Sequence, residues 1–343
     1  MKTMRAAVLR ENGRYPIVEH RPIPEVPDGS VLVHVRAAGV CHTDLHLIDG
    51  VPTPTPVPLV LGHEIAGVVA RVGGGVPDRW QVGDRVMVYY YDGCGACRWC
   101  RSDQENLCPE LRAKWGFDTD GGYCEYLAIP SRCLVPVPPG CSDAEAATIG
   151  CSGTTGVHVI ESIGHVGSGS RVVIIGAGGI GLSCAQVALA LGATVAVVEP
   201  REAARAAAEK SGVVVTVHPD DPEAAERIRA AMGGEAADVV VDAVGGTTTP
   251  MLAIGLVRRA GTIVLVGYTG ERAEIDLNAV ITRELRLRGS VGATRSDARR
   301  ALELAAAGRL RPLVHQTVDL NELAQALAAI RDARVIGRMV VVP

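Results

Sequence analysis

A thirty-residue stretch near the middle of the chain constrains the fold most strongly. Residues 171–200 read RVVIIGAGGIGLSCAQVALALGATVAVVEP, which is an apolar run, a glycine turn, a helical stretch and a second apolar run. This pattern predicts strand, turn, helix and strand. The apolar residues 181–198 could also suggest a membrane span, but Gln186 and the LGAT sequence at 191–194 favour a buried helix, a turn and a strand.

The glycines of this turn have the spacing of a dinucleotide-binding site. Gly176, Gly178 and Gly181 form G-x-G-x-x-G directly after the VVII run. The first glycine permits a tight turn, the second lets the backbone approach a pyrophosphate, and the third lets the helix pack against the strand. The helix N-terminus then presents its unpaired N–H groups to the phosphates. Gly179 and Ile180, in the same turn, are expected to bind the cofactor as well.

An acidic residue at the end of the second strand indicates which dinucleotide binds. Glu199 follows Gly181 by 18 residues, where a carboxylate can accept hydrogen bonds from the ribose hydroxyls of NAD and would repel a 2′-phosphate. Arg201 could instead grip a 2′-phosphate, although it also fits the start of the solvated helix REAARAAAEK. The sequence therefore predicts NAD as the cofactor.

The rest of the chain predicts an α/β protein with a second, mostly β domain. Strand-like runs at 237–246, 261–268 and 284–293 extend a doubly wound parallel sheet. The first 150 or so residues contain short alternating runs that are broken by Gly and Pro. We expect a mostly β domain at 1–153, a dinucleotide-binding domain at 154–293, and a tail at 294–343 that returns to the first domain.

Charge and the N-terminal sequence exclude several classes of protein. The formal net charge is −4, so no basic field favours nucleic acid or acidic lipid. The N-terminal sequence MKTMRAAVLRENG lacks the apolar core of a signal peptide, so the cytoplasm is the expected location. No nucleic-acid or membrane partner is expected.

Four closely spaced cysteines predict a structural metal site within a lobe at residues 92–110. Cys94, Cys97, Cys100 and Cys108 are separated by two, two and seven residues. In a reducing compartment such cysteines are more often metal ligands than disulfides, and four thiolates close a tetrahedral shell around zinc. A closed shell leaves no position for a substrate, so this zinc would be structural.

A second set of metal-ligating residues is dispersed along the sequence. Cys41 lies in GVCHTDLH, His63 in LGHE and Cys151 in IGCSGTTGVH. Two thiolates and one imidazole form a three-ligand zinc shell with a fourth position open to water or substrate. Each of these residues alone could be an ordinary core or capping residue, but together, beside the four-cysteine cluster, they indicate a catalytic zinc.

These motifs, in this order, resemble the zinc-containing alcohol dehydrogenases of the medium-chain dehydrogenase/reductase superfamily. The similarity covers CHTDLH, GHE, the four-cysteine lobe, the glycine motif and the terminal GRMVVVP, and it is strongest to the yeast and bacterial ethanol-type members. The resemblance implies a GroES-like catalytic domain with a Rossmann domain, and a zinc-dependent, NAD-linked interconversion of an alcohol with an aldehyde or ketone. It also implies a homodimer or homotetramer.

The resemblance also implies roles for individual residues. Cys41, His63 and Cys151 match the catalytic zinc ligands, and zinc acts as a Lewis acid that favours loss of the alcohol proton. Thr43 matches the residue that hydrogen-bonds the alcohol oxygen. His46 matches the residue that receives the proton through the nicotinamide ribose.

Four further positions match supporting residues of the family. Asp44 matches the acid that orients the ligand histidine. Glu64 matches an acid behind the zinc that can transiently ligate it. His42 and Arg338 match residues that touch the cofactor pyrophosphate or nearby amides.

The sequence departs from the ethanol-type pattern in the substrate pocket. Pro52 stands where those relatives have a tryptophan that narrows the pocket. A second pocket aromatic, expected before the four-cysteine lobe, is represented by Tyr89 or Tyr90. Loss of the indole frees volume, so the expected substrate is bulkier than ethanol.

Three alternatives stay open at this point. A zinc-free quinone or enoyl reductase shares the fold but does not need Cys41, His63 and Cys151. A polyol or sugar dehydrogenase keeps a catalytic zinc but often has an acid in place of Cys151, and many lack the lobe. A non-catalytic zinc- or nucleotide-binding sensor would not need Thr43 and His46.

Overall fold

A computed structural model describes residues 2–343, which form two compact units. Unit 1 comprises the chain through Cys151 together with residues 294–306 and 312–343. Unit 2 comprises residues 152–293 and 307–311. The tail after residue 293 is thus assigned mostly to unit 1, apart from a five-residue segment.

Unit 1 is built mainly from β-strands. Three of them form a small sheet in the order β2-β1-β4, and β7 pairs with β8 as a separate two-stranded ladder. The others form one larger sheet in the order β10-β6-β5-β3-β18-β17, with β9 also paired to β3. The strands of unit 1 are β1 (Thr3–Leu9), β2 (Ile17–Pro22), β3 (Ser30–Val40), β4 (Leu59–Val60), β5 (Glu64–Val72), β6 (Arg85–Val88), β7 (Tyr91–Asp92), β8 (Ala113–Lys114), β9 (Tyr126–Pro130), β10 (Leu134–Pro136), β17 (Val314–Asp319) and β18 (Arg338–Val342).

Pairing in the larger sheet brings distant parts of the sequence together. Strand β3 pairs antiparallel with β5, with Gly39 opposite Glu64, and on its other side with β18, with Val40 opposite Met339. The end of β3, the start of β5 and the C-terminal strand are therefore neighbours. This arrangement positions the candidate site described below.

The helices of unit 1 are few and short. The first begins directly after β3, with Cys41 as its N-cap, and ends at Gly50, which has the left-handed conformation typical of a helix C-cap. A capping box between Ser142 and Glu145 begins the third helix. The helices of unit 1 are α1 (His42–Asp49), α2 (Arg98–Arg101), α3 (Asp143–Thr148), α10 (Arg295–Ala306) and α11 (Leu323–Arg331), with 3₁₀ turns at Glu105–Leu107, Ser131–Cys133 and Leu320–Glu322. A π-helical stretch, Ile149–Gly153, begins in unit 1 directly after α3.

Unit 2 contains a six-stranded parallel sheet in the order β13-β12-β11-β14-β15-β16. The central strand β11 reads RVVII and is buried after its first residue, as expected for a parallel strand covered on both faces. Its strands are β11 (Arg171–Ile175), β12 (Thr194–Val198), β13 (Val215–Val217), β14 (Ala237–Asp242), β15 (Val257–Leu265) and β16 (Arg286–Gly289).

Helices follow the strands of this sheet. The helix after β11 and the strand after that helix correspond to the predicted helix, turn and strand at 181–198. None of the described helices is both long and apolar enough to cross a membrane. The helices of unit 2 are α4 (Thr154–Val157), α5 (Gly179–Ala190), α6 (Glu202–Lys210), α7 (Ala224–Ala231), α8 (Thr249–Leu256) and α9 (Leu277–Thr282), with a π-helical stretch at His158–Ile163.

The core of unit 2 is aliphatic. Val173, Val240 and Ile263, from three adjacent strands, are fully or almost fully buried and belong to one cluster with Ile228 and Ile254 from the helices. Burying a side chain of this kind contributes about 1.5–3 kcal/mol, so the core can hold the glycine turn after β11 in a fixed position. The predicted fold class, a mostly β GroES-like unit with a Rossmann-type doubly wound sheet, is confirmed.

Candidate active site

Three separate segments of unit 1 bring the dispersed metal-ligating residues together. Cys41 follows the end of β3, His63 precedes the start of β5, and Cys151 lies in the π-helical stretch after α3. All three are buried, and their ligand atoms, together with a carboxylate oxygen of Glu64, lie within 4.8 Å of one another. The predicted three-residue cluster is therefore assembled by the fold.

Asp44 connects two of these segments. Its Oδ2 accepts a hydrogen bond from the Cys41 backbone N–H at 2.8 Å and from the Tyr123 hydroxyl at 2.7 Å. Its Oδ1 lies 3.5 Å from His63 Nδ1. Asp44 thus faces one ring nitrogen of His63, and the other nitrogen, Nε2, is left to face a metal.

Glu64 and Arg338 form a buried ion pair on another side of the cluster. Arg338 Nε donates to Glu64 Oε1 at 3.1 Å, and a terminal nitrogen of Arg338 lies 3.6 Å from Cys41 Sγ. Gly39 is required beside them, because a Cβ at that position would collide with the Glu64 side chain. In this structure Arg338 therefore contacts the cluster itself, and its predicted contact with a cofactor stays a prediction.

The chemistry of the cluster fits a bound cation. Among the described residues 2–343, neither ring nitrogen of the buried His63 makes a hydrogen bond of normal length. Burial alone would lower the pKa of His63, but Asp44 and Cys41 raise it to about 10. The surroundings thus favour positive charge at the imidazole. Two thiolates and a neutral imidazole are a donor set that suits zinc, whose charge would satisfy this field.

Three further polar residues of α1, besides Asp44, differ in exposure. Thr43 is half-buried, and its Oγ1 lies 3.6 Å from Cys41 Sγ. His46 is also half-buried, and burial, with His42 nearby, lowers its pKa. His42 is exposed, and its ring centroid is 5.1 Å from that of His46. These positions suit the predicted roles, which stay predictions.

Aromatic side chains pack beside His63. The centroid of Tyr90 is 5.3 Å from that of His63, and the centroid of Phe117 is 4.8 Å from it. Of the two tyrosines considered from the sequence, Tyr90 is thus the one that packs against His63, whereas Tyr89 faces Arg295. We refer to Tyr90 and Phe117 as the aromatic wall.

Two residues of this site were missed from the sequence. Phe117 is the only phenylalanine in the chain, and Tyr123 is fully buried against Asp44. Both lie in the segment WGFDTDGGYCEY, directly after the four-cysteine lobe. Its glycines were a detectable signal, since Gly116 packs so closely on Gly62 and His63 that a Cβ would lie 2.7 Å from the Gly62 carbonyl group.

The four-cysteine lobe forms a compact thiolate cluster. The Sγ atoms of Cys94 and Cys100 are 3.9 Å apart, and those of Cys97 and Cys108 are 3.8 Å apart. Four sulfurs bound tetrahedrally at about 2.3 Å from zinc would be separated by about 3.8 Å. The lobe therefore fits a structural zinc closely.

Backbone amides stabilise thiolates in the lobe. The N–H groups of Ala96 and Cys97 donate to Cys94 Sγ at 3.4 and 3.3 Å. Led by these hydrogen bonds, the pKa of Cys94 falls to about 6. The ligand loop is thus shaped to hold ionised sulfur, which is the form that binds zinc.

The glycine turn of unit 2 keeps space where a pyrophosphate is expected. Gly176 has a positive φ of 92°, and a Cβ at Gly181 would collide with the Gly176 carbonyl oxygen. A Cβ at Gly178, in contrast, would meet no described atom within 4 Å. This is the pattern that the three predicted glycine roles require.

Glu199 lies beside this turn. Its carboxylate accepts hydrogen bonds from the Ala177 N–H at 2.7 Å and from Arg201, through the backbone N–H at 2.9 Å and Nε at 2.8 Å. Burial alone would raise the pKa of Glu199, but Arg201 and the two amides lower it. The carboxylate is therefore ionised, and Arg201 contacts it directly besides capping α6.

The fold and the two cysteine clusters define a class, the two-domain zinc dehydrogenases. Residues 27–139 match the alcohol dehydrogenase GroES-like domain, and residues 179–307 match the zinc-binding dehydrogenase domain. An alcohol dehydrogenase of Geobacillus stearothermophilus is 35% identical over 98% of this chain and 99% of its own.

Further relatives span the full length as well. An acryloyl-coenzyme A reductase of Metallosphaera sedula is 31% identical over 98% of this chain and 99% of its own. A crystal structure of an NAD-dependent alcohol dehydrogenase is 30% identical, with a TM-score of 0.93, and the match covers 99% of this chain and 100% of that one. The chain belongs to the zinc-containing alcohol dehydrogenase family of the medium-chain dehydrogenases/reductases, and it is an oxidoreductase.

Proposed function

We propose that this enzyme catalyses reversible hydride transfer between an alcohol and NAD, with an aldehyde or ketone as the oxidised product. The observation that carries the proposal is the buried cluster of Cys41, His63 and Cys151, a donor set that leaves one position of a tetrahedral zinc open. When bound there, zinc supplies a Lewis acid that makes an alcohol more acidic and a carbonyl more electrophilic. The lobe would hold a second, structural zinc.

The surrounding residues would position the reactants and move the proton. Asp44 would fix the orientation of His63 through Nδ1, and Tyr123 would hold Asp44 in place. The Thr43 hydroxyl would hydrogen-bond the alcohol oxygen and would take the substrate proton while giving up its own. His46, whose lowered pKa favours the neutral imidazole near pH 7, would receive the released proton by way of the nicotinamide ribose.

Support for NAD comes from Glu199. An ionised carboxylate beside the glycine turn accepts hydrogen bonds from two ribose hydroxyls and repels a 2′-phosphate. Arg201 weakens this repulsion because it neutralises part of the carboxylate charge. We therefore expect NAD to be preferred, and Glu199→Gln to reduce the ratio of kcat/KM for NAD to that for NADP.

A substrate bulkier than ethanol is part of the proposal. Pro52 replaces the expected tryptophan, and it is exposed in a loop whose Val51 N–H donates to the His46 carbonyl oxygen at 2.9 Å. Each methylene buried in the vacated volume contributes about 0.8 kcal/mol, or roughly fourfold in kcat/KM. Activity should therefore rise from ethanol to medium-chain or benzylic alcohols, and Pro52→Trp should flatten that trend.

Assembly and location complete the proposal. We expect a homodimer or homotetramer, as the family resemblance implies. The cytoplasm is supported by the two thiolate clusters, because closely spaced cysteines that bind metal are typical of a reducing compartment.

The alternative functions differ in the substrate that they predict, or predict no turnover at all. A polyol or sugar dehydrogenase is disfavoured by the thiol of Cys151 and by the lobe, and a non-catalytic sensor by Thr43 and His46. Reduction of an enoyl thioester is suggested by the relative from Metallosphaera sedula. A zinc-free enoyl reductase would not need Cys41, His63 and Cys151, so their cluster disfavours that reaction.

The decisive experiment is a substrate panel with zinc-loaded enzyme. NADH absorbance would be followed with linear and benzylic alcohols, polyols, the matching carbonyls and an enoyl-coenzyme A. We expect turnover of alcohols and carbonyls, with Cys151→Ala inactive. Turnover of the enoyl thioester alone, or of none of these compounds, would contradict the proposal.

A further inference from the structure

A lysine lies beside the aromatic wall of the candidate active site. The Nζ atom of Lys114 is 3.7 Å from the centroid of Phe117 and 5.1 Å from that of Tyr91. The Phe117 ring also packs against the rings of His63 and Tyr90. One phenylalanine ring therefore contacts both an ammonium group and a candidate zinc ligand.

The backbone holds Lys114 in this place. Strand β8 pairs with β7 so that Lys114 lies opposite Tyr91, and the Phe117 N–H donates to the Lys114 carbonyl oxygen at 3.0 Å. Gly116, between Lys114 and Phe117, packs directly on the backbone of Gly62 and His63. The turn that carries the lysine is thus fixed against the segment that carries the zinc ligand.

Within residues 2–343, no carboxylate lies within ion-pair distance of the Lys114 ammonium nitrogen Nζ. The Asp118 carboxylate raises the pKa of Lys114 without forming an ion pair with it, and its Oδ1 accepts from the Lys114 backbone N–H at 2.7 Å and from Thr119 Oγ1 at 2.9 Å.

The surroundings of Lys114 disfavour its charged form when no ligand is bound. Burial lowers the pKa of Lys114, although Asp118 and Cys151 oppose that effect. Lys114 is half-buried, so its ammonium group loses part of its hydration, and contact with aromatic faces offsets only part of that loss. The other two lysines of the chain, Lys2 and Lys210, are exposed.

We propose that Lys114 is a substrate-specificity residue that binds a carboxylate at the far end of the substrate, so that the preferred substrates are hydroxy acids and the corresponding oxo acids. The inference rests on the proposed alcohol–carbonyl activity and narrows its substrate class. The substrate's hydroxyl or carbonyl group lies at the zinc, its carbon chain lies along the aromatic wall, and its carboxylate pairs with Nζ. A charged hydrogen bond of this kind corresponds to about a tenfold to hundredfold gain in kcat/KM.

Matched substrate pairs test the inference. We would measure kcat/KM with NAD for 4-hydroxybutanoate against butan-1-ol and for 6-hydroxyhexanoate against hexan-1-ol. Wild-type enzyme should prefer one or both acids by about tenfold or more. Lys114→Met keeps the length of the side chain without its charge and should remove the preference, whereas Lys114→Arg should restore part of it. Lys210→Met is the matched control and should leave the preference unchanged.

A binding measurement separates this inference from the proposed activity. Calorimetry with butanoate and butanamide, at constant zinc and NAD, should show tighter binding of the anion to wild type and equal, weak binding to Lys114→Met. If neutral alcohols are oxidised but the acids and butanoate show no advantage, the inference is wrong and the proposed function stands. If butanoate binds through Lys114 but no alcohol or carbonyl reacts, the proposed function is wrong.

A structural role for the lysine predicts another result. Lys114→Met would then reduce kcat/KM equally for both members of each pair and would leave butanoate binding unchanged. That outcome would also overturn the inference.

Discussion

The two cysteine clusters of unit 1 share a ligand type and differ in almost everything else. The lobe takes its four thiols from 15 consecutive residues, three of them half-buried, and relies on backbone amides to stabilise sulfur. The cluster of Cys41, His63 and Cys151 spans more than 100 residues, is buried, and is surrounded by charged side chains. A cluster of ligands that are close in sequence can stabilise a local loop through its metal. A cluster of ligands that are far apart in sequence instead places a reactive metal position inside a domain that other contacts stabilise.

We expect that a substitution in either cluster leaves the other cluster intact. Because β3, β5 and β18 are paired by backbone hydrogen bonds, the dispersed cluster should not be needed to hold unit 1 together. The regular structure of the lobe is limited to the short β7–β8 ladder and brief helical turns, so its shape should depend on its metal.

The largest expected effect is on catalysis, in Cys151→Ala. Loss of a group next to a ligand typically costs 10- to 100-fold, so loss of a ligand should lower kcat/KM by about a thousandfold or more. The circular dichroism spectrum and the melting temperature should stay close to those of wild type. Cys133→Ala, which removes a buried thiol of unit 1 outside both clusters, is the control. Global unfolding of Cys151→Ala alone would show that this cluster is structural.

The next effect is on stability, in Cys97→Ser. Metal binding that orders a loop contributes directly to its folding free energy. We therefore expect the free energy of unfolding to fall by about 3 kcal/mol or more, and the zinc content to fall by one ion per chain. Hydrogen exchange at residues 92–110 should rise sharply, while the specific activity of the folded fraction is largely kept. Ser102→Ala changes the lobe without touching a ligand and should do neither. Full inactivation of correctly folded Cys97→Ser would contradict the distinction between the clusters.

A smaller effect is expected from Asp44→Asn. The amide can still contact Tyr123 and the Cys41 N–H, but it carries no charge to orient and polarise His63. Zinc affinity at this cluster should fall by about 10- to 100-fold, with no change at the lobe. Competition with a chelator would measure both sites. Asp49→Asn, at the exposed end of the same helix, is the control.

The same contrast explains what could be predicted from the sequence. The lobe and the glycine turn depend on local spacing, so Cys94 to Cys108 and Gly176 to Gly181 could be assigned from a few residues each. The joint placement of Cys41, His63 and Cys151 depends on strand pairing, so the sequence indicated it only through their occurrence beside the lobe and through the resemblance to a family.

The features that were missed arise from three-dimensional packing. Phe117 packs against His63, and Lys114 against Phe117, because Gly116 can approach Gly62, a contact that no spacing rule describes. The pairing of Arg338 with Glu64 likewise requires β18 to lie beside β3. Local motifs thus predicted the metal-ligand and glycine motifs, whereas tertiary contacts determined which side chains surround them.

The smallest effect is expected at a cluster held by charge alone. In unit 2, Asp238 accepts hydrogen bonds from Arg258 Nε at 2.6 Å and from the Arg171 backbone N–H at 2.8 Å, and it also pairs with Arg171 Nε. Burial alone would raise the pKa of Asp238, but the two arginines lower it to about 2. No metal is needed to organise this cluster, so it measures what ion pairs contribute without one.

The lowered pKa of Asp238 sets the direction of the pH dependence. The ionised form is favoured in the folded state, so its stabilisation is complete above the unfolded pKa of about 3.9 and is lost as the pH falls towards 2. Since the arginines are partly exposed, we expect Asp238→Asn to lower the free energy of unfolding by about 1–2 kcal/mol at pH 7 and by about half as much at pH 3. Urea titrations of wild type and variant at both pH values would measure the difference, with the exposed Asp220→Asn as control. A deficit that is the same at both pH values would mean that packing, rather than charge, stabilises this cluster. If Asp238→Asn lowered the free energy of unfolding as much as Cys97→Ser does, ion pairs alone would stabilise the protein as strongly as the proposed metal in the lobe.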